Sequence, residues 1–274
     1  MSKTNNKGGS MGAALQSTFT VLAIVVAFIT GFVVFKFIFG NPVNFEGNNP
    51  AGTPLNGNLL GVIYKGGTIV PFLIALNLLV IIFSIERAIT LVRAQGKGKI
   101  NVFVKSLQNF LDADKIEDAA ASCDKQRGSL ANVMKAGLLR YRSLQHDATL
   151  EKDQKILALQ KEFEEASALE LPMLSRNLVI LSTIASISVL TGLMGTVLGM
   201  IKAFAALATA GAPDALALAT GISEALINTA FGIFGSLIAI VMYNFFSTQI
   251  DNFTYKIDEA GFSLVQSFAA KTTK

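Results

Sequence analysis

The sequence predicts an all-α, polytopic membrane protein with four transmembrane helices, a cytoplasmic helical bundle and long helices that extend into the cytoplasm. The chain is 51% hydrophobic and only 15% charged, a mixture far from that of an ordinary soluble domain. Runs of about 20 apolar residues, the length that crosses a bilayer, recur along it. A charged, alanine-rich segment whose apolar residues recur at helical spacing separates the second run from the third.

The first part of the chain contains two predicted spans. Residues 1–14 are a predicted cytoplasmic N-terminus, and residues 15–40 form an apolar run too long for a signal peptide, which we interpret as a retained anchor helix. Residues 41–66 are a predicted periplasmic loop, and its first part, residues 41–58, is rich in Asn, Gly and Pro and is expected to be irregular. The second span is predicted at residues 67–92, with Pro71 near its start.

The remainder of the chain contains the bundle and two further spans. A long apolar region near the end is interrupted once, around Pro213 and Asp214, so it is interpreted as two helices rather than one. The tail keeps a helical apolar period and is expected to continue the last helix into water. The predicted segments are a cytoplasmic bundle (93–170), a span (171–208), a periplasmic loop (209–218), a span (219–246) and a cytoplasmic tail (247–274).

The distribution of Lys and Arg predicts the orientation in the membrane. Residues 93–170 carry thirteen of these residues, whereas the loop at 41–66 carries only Lys65 and the loop at 209–218 carries none. Segments rich in Lys and Arg stay on the cytoplasmic side. Both termini and the bundle are therefore predicted to be cytoplasmic.

Reporter fusions test this orientation. Fusions at Asn48 and Ala212 are expected to report the periplasmic side, and fusions after Gln95 and at Lys274 the cytoplasmic side, because four crossings return the chain to its starting side. A periplasmic reading at Gln95 would contradict the four-span topology.

The composition also argues against several classes of function. One cysteine, Cys123, and one histidine, His146, exclude a disulfide framework and a metal site built from several Cys and His ligands. We interpret Cys123 as a small buried residue and His146 as a surface residue. The net charge of +4 is spread among acidic residues, so no patch for nucleic acid is expected. We expect membrane lipid around the spans, no cofactor and no enzymatic activity.

Small residues gather on one face of the third span. On a helix that turns by about 100° per residue, Gly192, Gly195, Thr196 and Gly199 fall within a sector of about 100°. Such stripes allow helix backbones to approach closely in lipid. Two interpretations remain open: close packing alone, or a narrow water or proton path served by the Thr196 hydroxyl.

The last span carries a similar face with a carboxylate on it. A carboxylate inside a bilayer costs roughly 2.5 kcal/mol or more at the centre, so it faces water or a partner. Because a carboxyl group is neutral or charged depending on its hydration, Glu224 is suited to carry a proton; the alternatives are a position at the membrane boundary or a static ion pair with Lys202. Both faces are expected to meet other subunits or partner helices. The face spans about 140° and includes Glu224, Ala225, Asn228, Thr229, Gly232 and Ser236.

Two long stretches of the sequence resemble a known family. The first is "LPMLSRNLVILSTIASISVLTGLMGTVLGMIKAF", residues 171–204, and the second is "LATGISEALINTAFGIFGSLIAIVMYNFFSTQID", residues 218–251. In order and separation they resemble the MotA/TolQ/ExbB proton-channel family, and they look closest to ExbB. A weaker similarity extends the resemblance over residues 60–265.

The resemblance implies a proton-channel motor subunit of the bacterial inner membrane. Five copies would form a ring around the single-span helices of an ExbD-like dimer, and a TonB-like protein would carry the work to an outer-membrane system. The family's pore threonines correspond to Thr196 and Thr229, and its intramembrane glutamate corresponds to Glu224. The small residues that would pack the helices and face the pore are Gly192, Gly195, Gly199, Ala225, Asn228, Gly232 and Ser236.

Two features depart from the family pattern, and other functions compete with the motor. The helix at 15–40 has no counterpart in a three-span plan, and Lys202 stands where a neutral residue is expected. The competing functions are a TolQ-like subunit, a flagellar or gliding stator subunit, and a static membrane scaffold that uses the same faces for packing only. The bundle is shorter than the cytoplasmic domain expected of a stator.

Overall fold

The computed structural model describes residues 7–145, 147, 149–209 and 215–271. Within these ranges the chain is helical, and its only strand-like pairing is one bridge between Phe45 and Pro54. His146 and part of the predicted loop at 209–218 lie outside the described residues. The α-helices are α1 (Lys7–Val33), α2 (Leu59–Tyr64), α3 (Val70–Gln95), α4 (Ile100–Asp112), α5 (Ile116–Gln126), α6 (Ser129–Gln145), α7 (Lys152–Ser175), α8 (Leu178–Thr209) and α9 (Ala215–Lys271).

Four helical stretches are long and apolar enough to cross a membrane. They contain α1, α3, α8 and α9. Helix α9 has 57 residues, far more than the roughly 20 that a bilayer requires. The predicted all-α class and the predicted four membrane-length helices are confirmed.

The chain folds into two compact units. The first consists of Met1–Ser84 and Ile180–Tyr243, and the second of Ile85–Val179 and Asn244–Lys274. Helices α1 and α2 belong to the first unit, and α4 to α7 belong to the second. Helices α3, α8 and α9 contribute residues to both units.

Helix α1 joins the first unit through a narrow seam. Its buried residues Ala23 and Ala27 lie one turn apart, and the series continues to Gly31. A Cβ on Gly31 would lie 2.7 Å from the Pro71 carbonyl oxygen and 3.1 Å from the Ala75 nitrogen, so α1 and α3 touch backbone to backbone. Large apolar side chains remain exposed on the rest of α1, among them Leu22, Ile29 and Phe32. Surfaces of this kind suit contact with lipid.

The segment between α1 and α3 is largely irregular in its Asn-, Gly- and Pro-rich part, residues 41–58, and becomes helical directly after it. It contains the short helix α2, and Asn58 caps this helix by accepting hydrogen bonds from its first backbone N–H groups. Phe45 is only 1% exposed and meets the Tyr64 ring edge to face, with centroids 5.5 Å apart. The Asn58 side chain also donates to Asn44 at 3.0 Å. Aromatic packing and asparagine side chains therefore order this segment.

The core of the second unit is built around an aromatic ring held between helices. Phe163 of α7 occupies the space left by two glycines, Gly137 of α6 and Gly261 of α9. Cys123 is 2% exposed, as predicted, and burial raises the pKa of its thiol to about 12. Since the thiolate is the reactive form, this cysteine is inert at neutral pH.

A buried ionic network holds the end of α7 to α3 within the second unit. Arg87 is fully buried, and its guanidinium donates to the two Glu86 carboxylate oxygens at 2.7 and 2.6 Å and to the Leu174 carbonyl oxygen at 2.8 Å. Asn177 donates to the same carboxylate at 3.2 Å. Because a buried guanidinium is tolerated only when it is paired and hydrogen-bonded, these contacts fix α3 against the junction that leads into α8.

Candidate functional site

Helices α8 and α9 meet along a line of small residues. A Cβ on Gly192 would lie 3.0 Å from the Gly232 Cα, and a Cβ on Gly199 would lie 2.9 Å from the Ala225 nitrogen. These distances exclude larger side chains and bring the two backbones into direct contact. We call this contact the α8–α9 seam; its residues are Gly192, Gly195, Gly199, Gly221, Ala225, Asn228 and Gly232.

The position of the seam bears on one expectation from the sequence. The two small-residue faces are expected to meet other subunits or partner helices, and in the structure of the single chain they meet each other. The reason is that glycine has no side chain, so the central parts of the two stripes can lie directly against one another. All seven residues of the seam are buried. Of the two faces, the polar side chains at the edges of the seam, Thr196, Thr229 and Glu224, remain partly accessible to a partner.

Thr196 and Thr229 meet at one edge of the seam. Their hydroxyl groups are hydrogen-bonded to each other, and the Ala225 carbonyl oxygen lies 3.4 and 3.3 Å from them as an acceptor for whichever hydroxyl does not donate to the other. Both side chains are half-buried. Each hydroxyl can both donate and accept a hydrogen bond, and both side chains remain partly exposed.

Glu224 lies at the other edge of the seam. Its carboxylate accepts a hydrogen bond of 2.6 Å from the Lys202 ammonium group. Thr229 follows Glu224 by five positions, which turns the helix by about 140° beyond a full turn, so the two side chains leave α9 in different directions. The ion pair with Lys202 that the sequence allowed as an alternative is therefore present in the structure.

A glycine turn in front of α3 completes the Glu224 edge. The Glu224 carboxylate lies against Gly67, where a Cβ would not fit, and Gly67 has a φ of +78°, a conformation that favours glycine. One turn along α9, the fully buried Asn228 side chain donates to the Gly66 carbonyl oxygen at 2.9 Å. Gly67 thus contacts Glu224, and Gly66 is hydrogen-bonded to Asn228 one turn further along α9.

Sequence reasoning missed this turn. The available signal was the pair of glycines directly before an apolar run, which marks a tight turn, but their partners on α9 lie far away in sequence. The carboxamide oxygen of Asn228 has no hydrogen-bond partner among the described residues. The turn therefore supplies contacts for Glu224 and Asn228 that a helical projection of α9 alone does not show.

Hydroxyl groups continue along the threonine edge. Ser236 follows Thr229 by seven positions and lies on the same side of α9. It is 6% exposed and lines an open groove of 470 Å³. Apolar side chains and further hydroxyls complete the lining, which comprises Ser182, Ala185, Ser186, Val189, Leu190, Ile240 and Tyr243.

Comparison with known proteins covers the part of the chain that contains both edges of the seam. Residues 125–259 match the sequence profile of the MotA/TolQ/ExbB proton channel family. This segment of the chain belongs to that family. The matched MotA/TolQ/ExbB segment contains Thr196, Lys202, Glu224 and Thr229, whereas α1 and α2 lie outside it.

Curated members of the MotA/TolQ/ExbB family are similar to parts of the chain. The Tol-Pal system protein TolQ of Pseudomonas aeruginosa is 29% identical over 154 residues, which are 56% of this chain and 67% of that protein. The TolQ of Haemophilus influenzae is 40% identical over 82 residues, 30% of this chain and 36% of that protein. The biopolymer transport protein ExbB of Salmonella typhimurium is 40% identical over 73 residues, 27% of this chain and 30% of that protein. The predicted similarity to ExbB is confirmed, and similarity to TolQ stands beside it.

Proposed function

We propose that this chain is the proton-channel subunit of an ExbB-like energiser complex in the bacterial inner membrane. Protons moving down their gradient would drive movement that a TonB-like protein transmits to outer-membrane transport. The observation that carries the proposal is the hydrogen-bonded pair Thr196 and Thr229, held between two membrane-length helices within the family segment.

The threonine pair has the chemistry that a proton path through apolar surroundings requires. Most side chains exposed around it are hydrocarbon, which neither donates nor accepts, whereas each hydroxyl does both. A proton driven inward gains about 2.3 kcal/mol per 100 mV of membrane potential. A path with modest conductance therefore does useful work if it is coupled to movement.

A partner subunit would complete the path. The groove beside the threonine edge has no carboxylate in its lining, and the nearby Glu224 is paired with Lys202 at the other edge. We therefore propose that a homopentamer of this chain surrounds the single-span helices of an ExbD-like dimer that supplies the titrating carboxylate. A native mass measurement tests this stoichiometry, and a monomer found both with and without the partner would contradict it.

A TolQ-like function is the second candidate. It is favoured by the alignment with P. aeruginosa TolQ, which covers 56% of this chain, against 27% for S. typhimurium ExbB. A static scaffold would instead use the seam for packing only, and a stator would deliver its work to a different assembly.

A deletion strain separates these functions. Loss of this chain is expected to abolish energised uptake of an outer-membrane receptor's ligand and to leave envelope integrity intact, with recovery of uptake from a plasmid copy. Normal uptake combined with a leaky envelope would instead indicate a TolQ-like role. Normal uptake with an intact envelope would refute both energiser functions in that host.

A further inference from the structure

Glycine contacts bring α8 and α9 together but do not fix their rotation about each other. Large side chains normally prevent such rotation, because ridges on one helix fit into grooves on the next. Gly192, Gly199 and Gly232 present little more than backbone to the facing helix. Apart from the Asn228 side chain, which packs against Gly195, the rotation is therefore restrained by contacts at the edges of the seam.

The two edges carry different polar contacts at different heights. Thr196 bonds to Thr229 at one edge, and Lys202 bonds to Glu224 at the other. Lys202 follows Thr196 by six positions and Glu224 precedes Thr229 by five, so in these antiparallel helices the ion pair lies roughly 8 Å farther along the seam. Two contacts on opposite edges resist rotation in both directions.

The Glu224 end of the ion pair is held firmly. Its side chain is 12% exposed, whereas that of Lys202 is 55% exposed. The carboxylate rests on Gly67, and the Asn228 side chain one turn away binds the Gly66 carbonyl oxygen. Since the carboxylate is largely buried against Gly67, the position of Lys202 determines where α8 lies against it.

We propose that Lys202 is a positioning residue, which with Glu224 forms a latch that fixes the rotation of α8 against α9 and keeps the Thr196 and Thr229 hydroxyls in contact. The benefit of this alignment for proton transfer rests on the proposed function. The alignment of the two hydroxyls is independent of that function and is measured separately.

Disulfide cross-linking measures the alignment. In the full-length chain carrying Cys123→Ala, the substitutions Thr196→Cys and Thr229→Cys place two thiols where the hydroxyls touch, and mild oxidation of membranes is expected to join them. Adding Lys202→Met is expected to slow cross-linking about fivefold or more, the size of a typical coupling between contacting residues. Lys202→Arg keeps the charge and is expected to retain the rate. The exchange Lys202→Glu with Glu224→Lys is expected to restore much of it.

Two further variants make the test specific. Lys161→Met removes a lysine whose side chain is 73% exposed in another ion pair, and the rate is expected to stay unchanged. Gly67→Ala keeps both charges of the latch but displaces the carboxylate, so it is expected to slow cross-linking as Lys202→Met does. If the Lys202→Met chain does not accumulate in the membrane, the cross-linking rate of Gly67→Ala alone tests the latch.

Unchanged cross-linking in Lys202→Met and Gly67→Ala would overturn the latch, as would loss of cross-linking in Lys202→Arg. Proton flux is read separately, in chains that retain both threonines. Slowed cross-linking with normal flux in Lys202→Met would support the latch and contradict the link to proton transfer.

Discussion

Thr229→Val is expected to lower energised uptake about tenfold or more while the complex stays assembled. Valine has nearly the shape of threonine but lacks the hydroxyl, so the hydrogen bond between the two hydroxyls is lost without a change in packing. The Thr196 hydroxyl can then donate to the Gly192 or the Ala225 carbonyl oxygen, at 3.3 and 3.4 Å, so it keeps a partner, and the lost hydrogen bond costs only about 1 kcal/mol. Thr196→Val is expected to have the same effect. The measurement is uptake of an outer-membrane receptor's ligand, with a pull-down of the partner subunit.

Two variants on the same helix control this experiment. Thr229→Ser restores a hydroxyl and is expected to recover part of the uptake. Thr220→Val removes the hydroxyl of an exposed threonine that bonds to the Leu216 carbonyl oxygen, and full uptake is expected. Full uptake in both Thr196→Val and Thr229→Val would leave the seam with packing as its only role.

Gly232→Ala is expected to separate α8 from α9 and to destabilise the protein by about 1 to 3 kcal/mol, the usual cost of overpacking. The added Cβ would lie 2.7 Å from the Ser188 carbonyl oxygen and 2.8 Å from the Gly192 Cα. Both atoms belong to the backbone, so neither can move aside as a flexible side chain does. Thermal unfolding of the detergent-purified protein and recovery of the partner in a pull-down measure the effect, and Gly232→Leu is expected to be more severe.

Gly261→Ala provides the matched control on the same helix. Its Cβ would meet only Phe163 side-chain atoms, the nearest at 3.3 Å, and alanine is favoured over glycine in a helix by about 1 kcal/mol. Stability is therefore expected to stay within about 1 kcal/mol of the original chain. Equal destabilisation by both substitutions would show that the seam is no tighter than an ordinary helix contact.

The helices and the seam were within reach of sequence reasoning because they depend on local periodicity. Apolar runs of sufficient length predict the four membrane helices, and a helical projection collects Gly192, Gly195 and Gly199 on one face of α8. What a projection cannot supply is the identity of the facing surface. In the structure the small residues of α8 pack against those of α9, and Thr196 and Thr229 lie at one edge of this contact.

The Glu224 edge was less predictable because it depends on residues distant in sequence. A sector of about 140° is wide enough to reach both edges of a helix contact, so Glu224 and Thr229 were assigned to one face although they serve different edges. Gly67 reaches the carboxylate from before α3, a relation with no periodic signature. The order around Phe45 was missed for a similar reason. An Asn- and Gly-rich composition does not show that Asn58 caps α2 or that Phe45 packs on Tyr64.

Proton flux is the most direct test of the proposed path. The chain and its single-span partner, reconstituted together in liposomes, are expected to conduct protons under an imposed potential of about 100 mV, which supplies about 2.3 kcal/mol per proton. With Thr196→Val and Thr229→Val combined, flux is expected to fall about tenfold or more while the partner remains bound. Undiminished flux through an assembled complex that lacks both hydroxyls would contradict the proposed path.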